Sequence, residues 1–314
     1  MGNNIENPGN VAGLEAAARM FGWDCAFVAD ERFPAAQTSA AGARAMTAAA
    51  LAASGLPIIA LENGHGAEDL HRFRPPRGRY VLIAGNERKG IAGELRRLAG
   101  RVVEIPNASA RLNTLNVAAA AAVALHQLTR SRDRQAGAGG GRPEVLLDGP
   151  TDAIELGSVI RSATCFGWSH LFVDDRHHVW FATDRVTRSL GRGAARRGRN
   201  PIAIVPARGG AYEEVLVVTA TDGEPLRRAD VALGPDRLVV IPDAAATTVD
   251  ADADADASSR WHRLGRRVRR LRVEVEPGAP APFRLVASIA LAELARRCHR
   301  RPTRAPRPLA PPDD

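Results

Sequence analysis

Cysteine is scarce: Cys25, Cys165 and Cys298 are the only three in 314 residues. An odd number at such wide spacing fits neither a disulfide framework nor a paired-cysteine metal site, so they read as small buried hydrophobes. Aromatic residues make up only 4%, which argues against a binder built mainly on base-stacking platforms. The longest apolar run, VAAAAAVAL at 117–125, falls far short of the roughly 18 residues a membrane span needs. The first ten residues, MGNNIENPGN, carry no basic segment followed by an apolar one, so no secretory signal is expected and a cytoplasmic protein is. Neither a Walker loop nor a GxGxxG after a strand occurs, which removes the usual nucleotide-binding signatures.

What remains is a chain long enough for two domains, with 45% hydrophobic and 25% charged residues, ordinary for a globular protein. Its 43 basic against 35 acidic residues give a net charge of +8. The excess is arginine, clustered at 188–199, 263–272 and 296–304. Arginine forks suit phosphates, so the clusters point to a polyanion, with an Arg-rich composition as the bland alternative.

The segments FGWDCAFVAD (21–30) and FGWSHLFVDD (166–175) share six of ten residues at an offset of 145. The chain therefore reads as a tandem duplication. The expected organisation is a first domain over 1–130, a Gly-rich linker over 131–143, a second domain over 144–301 and a Pro-rich tail over 302–314. The run DADADADASS at 250–259 lacks the glycine turn and spaced glutamate of a calcium loop and reads as a solvated insertion. Within the first copy, helices are expected over 12–21, 40–53, 91–98 and 115–128, alternating with short strands at 25–30, 56–62, 80–85 and 102–106. This alternation indicates a parallel α/β sheet covered by helices on both faces, with ligands beyond the carboxyl ends of its strands. The second copy opens with a strand, EVLLDG, for which the first copy is expected to have no counterpart.

Three segments of the first copy carry the chemistry: NPGNVAG at 7–13, IAGNERKG at 83–90 and IPNASARLNTLNVAAA at 105–120. In order and spacing they resemble the SpoU/TrmH family of the SPOUT superfamily, RNA ribose 2′-O-methyltransferases. The resemblance covers residues 5 to 130. It implies a C-terminal trefoil knot, a rare exception to unknotted connectivity, with S-adenosylmethionine held by the three loops. Matched position by position, it assigns cofactor contacts to Leu61, Gly85, Asn86, Ile105, Pro106, Thr114 and Leu115. Asn10, Glu87 and Asn116 fall on reaction-side positions, and Asn116 also suits an N-cap of the following helix. Thr114 stands for the family's usual serine, Arg88 for a small residue, and the loop before Thr114 is one residue longer than the pattern.

The arginine of the family's first motif falls on Ala16. In the second copy the same position, at offset 145, is Arg161, while Asp152 and Glu155 stand on the two asparagine positions. The later motifs of that copy have decayed: VVIPDAAAT occupies the place of the GNE loop, and 275–294 lacks the closing asparagine. Family members act as homodimers with the active site at the subunit interface. The complementary losses therefore imply an intramolecular pseudodimer, compatible with a monomer overall, with one cofactor knot in the first copy and one acceptor arginine, Arg161, in the second. The expected activity is S-adenosylmethionine-dependent 2′-O-methylation of rRNA or tRNA. A methyltransferase of the same fold with a small-molecule acceptor, and a non-catalytic RNA-binding protein, are the alternatives.

Overall fold

The computed structural model describes residues 1–28, 44–64, 66–86, 88–109, 114–129, 141–181, 184–196, 200–206, 212–245 and 260–298. Two seven-stranded sheets organise them, every strand pair parallel. The first contains β1 (Gly2–Asn3), β2 (Ala26–Val28), β3 (Arg44–Ala45), β4 (Ile58–Leu61), β5 (Glu68–Asp69), β6 (Val81–Ala84) and β7 (Arg101–Glu104) in the order β3-β2-β1-β6-β4-β7-β5. The second contains β8 (Glu144–Asp148), β9 (His170–Asp174), β10 (Ala203–Pro206), β11 (Tyr212–Thr219), β12 (Glu224–Pro225), β13 (Arg237–Pro242) and β14 (Gly265–Arg272) in the order β10-β9-β8-β13-β11-β14-β12. Adding seven to each strand number converts the first order into the second. The central strands read as continuous apolar runs, as sheets covered on both faces require.

The helices are α1 (Pro8–Met20), α2 (Ala48–Ala53), α3 (Gly93–Leu98), α4 (Val117–Thr129), α5 (Ala153–Cys165), α6 (Arg185–Ala195) and α7 (Phe283–Cys298). α1 and α5 lie 145 residues apart at both ends and have matching caps. Asn7 accepts from the Gly9 amide at 2.8 Å, and Asp152 from Ile154 and Glu155 at 2.7 and 2.8 Å. The Asn-to-Asp change therefore keeps the helix start intact. α4 is nearly half alanine and buried nearly all round because α1 packs on one side and α7 on another. Small side chains let these helix backbones approach closely. One hydrophobic core runs continuously from Met20 and Val123 to Ile160, Leu285 and Leu291.

Polar contacts fix the same junction. Glu276 N–H donates to Met20 O at 2.7 Å and Ala108 N–H to Cys165 O at 2.8 Å. Gln127 donates from Nε2 to Glu293 Oε2 at 3.4 Å. Burial alone would raise the Glu293 carboxyl, but Arg296, Arg297 and His126 overcome it and hold it at about 2.

Several expectations change. The first sheet does have a counterpart of the opening strand: β1 pairs with β2 and β6. Two residues are too short to leave a hydrophobic pattern. The helix expected over 40–53 is shorter among the described residues, since 44–45 form β3 and the helix begins at Ala48, capped by Thr47 Oγ1 on the Ala50 amide at 3.0 Å. Of the cysteines, only Cys165 is buried; Cys25 and Cys298 are half-buried. Most of the linker, the acidic run 250–259 and the tail 302–314 lie outside the described residues. No described helix is long and apolar enough to cross a membrane.

Candidate functional site

The site lies beyond the carboxyl ends of β4, β6 and β7. β6 delivers the chain into Gly85 and Asn86, and Asn86 and Gly90 bond each other's main chain at 2.8 and 3.0 Å. This pinched loop demands glycine: a Cβ on Gly85 would sit 2.4 Å from the Gly90 carbonyl carbon, and Gly90 itself has φ +69°. Asn86 holds the loop from within. Its Oδ1 accepts from the Arg88 and Lys89 amides at 2.8 and 3.2 Å, while its Nδ2 donates to Asn4 O at 2.8 Å. From β4, Glu62 accepts from the Ile91 amide at 3.1 Å and lies 3.3 Å from Arg96.

All seven residues expected to touch the cofactor line one cavity of about 250 Å³: Leu61, Gly85, Asn86, Ile105, Pro106, Thr114 and Leu115. Apolar walls come from Leu61, Ile91, Ile105, Leu115 and Val117, and the polar side chains of Glu62, Asn63, Asn86 and Asn107 also line it. Two further wall residues, Cys165 and Phe166, come from the end of α5, in the other half of the chain. Burial pushes the Cys165 thiol up to about 11, against the opposing effects of Arg161, Asn107 and Arg196. It is therefore a neutral wall and not a nucleophile.

A second, larger cleft of about 1010 Å³ adjoins this cavity, and Asn86 belongs to both. Asn10, Asn116 and Arg161 all line it. Asn116 Nδ2 donates to Asn10 Oδ1 at 2.8 Å, while Asn116 Oδ1 caps α4 on the Ala118 and Ala119 amides at 3.0 and 3.3 Å. The cap and the pairing with Asn10 therefore coexist. Arg161 is 6% exposed and sits one helical turn before Cys165, so α5 presents the two side by side. Glu87 lies outside the described residues.

Two further bonds cross the cleft. Arg196, at the left-handed end of α6 (φ 50°), donates from Nη1 to Thr114 Oγ1 at 2.9 Å. Arg284 donates from Nη2 to Gly9 O at 2.9 Å and pairs with Glu155 at 2.9 Å, while its amide reaches Glu155 Oε2 at 3.0 Å. Gly13 makes room for this guanidinium: a Cβ there would lie 2.6 Å from Arg284 Nη2. No local pattern in the sequence signals either bond, because both depend on how the two sheets dock.

The arginine clusters fall into two groups. In β14, Arg267, Arg269 and Arg270 lean on Glu213, Glu224 and Asp222. Arg297 is buried against Glu293 and the carbonyls of Leu226 and Ala229. Their charge is largely neutralised within the chain. Of the 188–199 cluster, Arg196 borders the cleft.

The fold is α/β, with a cavity at the carboxyl edge of a parallel sheet and a second parallel sheet of the same strand order. Residues 1–126 match the SpoU rRNA Methylase family. Among solved structures, the chain is similar to a TrmH-family protein from Porphyromonas gingivalis (21% identity, 41% of this chain and 58% of that one, TM-score 0.33). It is also similar to the TrmH/SpoU tRNA modifying enzyme of A. aeolicus (16%, 42% and 73%, TM-score 0.35). A third is the SpoU methyltransferase AviRb from Streptomyces viridochromogenes in complex with AdoMet (18%, 79% and 86%, TM-score 0.34). The chain thus spans less than two thirds of the P. gingivalis protein. No curated protein matches it. The functional reading rests on the side chains of the site.

Proposed function

We propose that the chain is an S-adenosylmethionine-dependent RNA methyltransferase that modifies a ribose 2′-hydroxyl of rRNA or tRNA. In this reading it is an intramolecular pseudodimer with one composite active site, and the first domain threads as a trefoil knot. One observation carries the reading: the cavity of the first half opens beside the cleft in which Arg161 of the second half stands, with Asn86 on the wall of both.

The residues fit the cofactor. Leu61, Ile105 and Leu115 offer apolar walls for a purine, and the main chain around Gly85, Pro106 and Thr114 offers donors and acceptors. S-adenosylmethionine, when bound, supplies an electrophilic methyl group. The protein's contribution is then chiefly positioning. Arg161 cannot take the hydroxyl proton, since a guanidinium stays protonated. It holds a phosphate beside the acceptor ribose and stabilises the oxygen as negative charge develops there. The Asn10–Asn116 bond fixes both amides in the cleft beside the cavity, and Glu87 follows Asn86 in the sequence.

The local neutralisation of the β14 arginines favours, as a second reading, a small-molecule acceptor in the same cleft. Transfer of labelled methyl from S-adenosylmethionine to total rRNA and tRNA, followed by nucleoside analysis, separates the two. Label in a 2′-O-methylnucleoside is the expected result. Cofactor binding with no label in RNA sinks the RNA reading, and absence of cofactor binding sinks both.

A further inference from the structure

Large apolar side chains are well hidden in this molecule, and the four described ones that are exposed cluster around α6: Ile154, Phe181, Val186 and Leu190. Phe181 is the only aromatic among them, 47% exposed, in a chain that has few aromatics at all. Its position is fixed with unusual care for a surface residue. The Asp175 carboxylate accepts from the amides of Val179 at 2.8 Å, Trp180 at 3.1 Å and Phe181 at 2.7 Å. His178 takes a left-handed φ of 55° to close this turn. Trp180 is buried beneath, against Gly191 of α6, where a Cβ would lie 3.3 Å from the indole. A rigid, presented aromatic face contributes little to folding and much to stacking.

Beside Phe181 is a cleft of about 410 Å³ bordered by Trp180, Arg188 and Arg192, within the range of about 300–1,000 Å³ usual for ligand sites. Arg188 rests its Nε on Asp184 O at 3.3 Å, and Arg192 follows one turn later on the same side of α6. The opposite side of α6 carries Leu190, Gly193 and Ala194 into the cleft that holds Arg161. One helix, about 10–12 Å across, therefore separates an aromatic–arginine cleft from the candidate acceptor site.

We propose that this cleft is a nucleotide subsite for a single-stranded part of the RNA substrate, in which an unpaired base stacks on Phe181 and Arg188 and Arg192 hold the adjoining phosphate. The proposal rests on the RNA reading of the active site. An aromatic face flanked by arginines is complementary to a base and its phosphate, and it tolerates any base because every base has a flat face. The same strand, crossing α6, would place a nucleotide a few positions away in the cleft with Arg161.

The test uses the full chain and a short fluorescent single-stranded oligoribonucleotide of mixed sequence, read by anisotropy over a range of salt. Phe181→Ala is expected to weaken binding by about 5- to 150-fold, the range for one stacked base. Phe181→Leu, which keeps bulk and loses the flat face, should weaken it similarly, and Phe181→Trp should preserve it. The double variant Arg188→Ala/Arg192→Ala should flatten the logarithmic salt slope by roughly 0.7 for each phosphate that is no longer neutralised. Cofactor affinity, measured by calorimetry, should be the same in all variants. If the parent chain binds and methylates RNA but Phe181→Ala or Phe181→Leu binds as tightly, the subsite falls and the methyltransferase reading stands. If the parent neither binds nor methylates RNA, the underlying reading falls with it. If Phe181→Ala instead converts a self-associating parent to a monomer, the patch is a protein interface and the proposal is overturned.

Discussion

After β6 the chain runs into Gly85; after β13, at the same register, it runs into Pro242. Gly2 pairs with Ala84 in the first sheet and Leu147 with Ile241 in the second, which sets Ala84 on Ile241, Gly85 on Pro242 and Asn86 on Asp243. The two sheets share an order, yet their ends have opposite fates. In the first, Gly85 lets the loop fold back until a Cβ would meet the Gly90 main chain, and a cavity opens behind it. In the second, a proline cannot enter that loop. The neighbouring positions Val218, Ile241 and Val273 are fully buried. Asp148, on the register position of Asn3, is sealed under Arg176, Arg260 and the Trp261 indole. Asn3 accepts from the Ala92 amide at 2.8 Å and so braces the cofactor loop. One sheet edge opens onto a cavity, and the other is filled by its own side chains.

The same division recurs at the helix starts. The first half pairs Asn10 with Asn116, neutral amides open to the cleft. The second pairs Glu155 with Arg284, and that arginine reaches over to Gly9. The second half supplies wall and clamp residues to the cavity and cleft of the first. Arg161, Cys165, Phe166 and Arg196 all belong to it and all border the site.

The largest expected effect breaks this division of labour from the second half. Arg161→Ala should lower methyl-transfer turnover by roughly 100-fold or more, the order lost when a donor to developing charge is removed. Arg161→Lys should recover part of it, because an ammonium keeps the charge but not the planar fork. Cofactor affinity, read by calorimetry, should hardly move. Normal turnover in the alanine variant would make the second half a scaffold and send the search for the acceptor arginine back to the first.

Next comes the loop contrast itself. Gly85→Ala should reduce cofactor affinity at least about tenfold, since the pinched loop must open to relieve a main-chain clash of a kind that typically costs about 1–3 kcal/mol. Pro242→Ala, at the matching position, should leave cofactor affinity unchanged. Equal losses would mean that both sheet edges bind, and the contrast would collapse.

The junction supplies a pH prediction. Glu293 is held at about 2, below an ordinary value of 4.5. A carboxyl lowered in the folded state contributes stability above its unfolded pKa, and that contribution disappears as pH falls through the folded value. The melting temperature should therefore drop progressively between pH 4.5 and 2. Glu293→Gln should be less stable at neutral pH, because it leaves Arg297 buried without its carboxylate, and should lose much of this acid dependence. An unchanged acid profile in that variant would place the acid-sensitive group elsewhere.

Much of this was legible in the residues. The constant offset of 145 singled out Arg161, and the three loop motifs together with the strand ending at Leu61 contain the seven residues that line one cavity. β1 was not legible, because two residues leave no alternation, and its existence depends on β2 and β6 on either side. The ion pairs of Arg267, Arg269 and Arg270 in β14 were not legible, since Glu213, Asp222 and Glu224 are remote in sequence but adjacent across the sheet. Cys165 and Phe166 reach the cavity only through the docking of α5 against the first half, a property of two surfaces and not of any segment.

Arg196 is the smallest effect expected and the sharpest probe of that docking. Its bond to Thr114 joins the end of α6 to the loop that closes the cavity, and the residue sits at φ 50° to do so. A half-exposed hydrogen bond from a charged donor contributes about 1 kcal/mol, so Arg196→Ala should weaken cofactor binding about fivefold. Thr114→Val should do the same, and the double variant should add little to either, as partners in one bond require. Thr114→Ser keeps the acceptor and should match the parent chain. Additive losses in the double variant would mean that Arg196 and Thr114 act separately, and that the second half does not steady the loop through this bond.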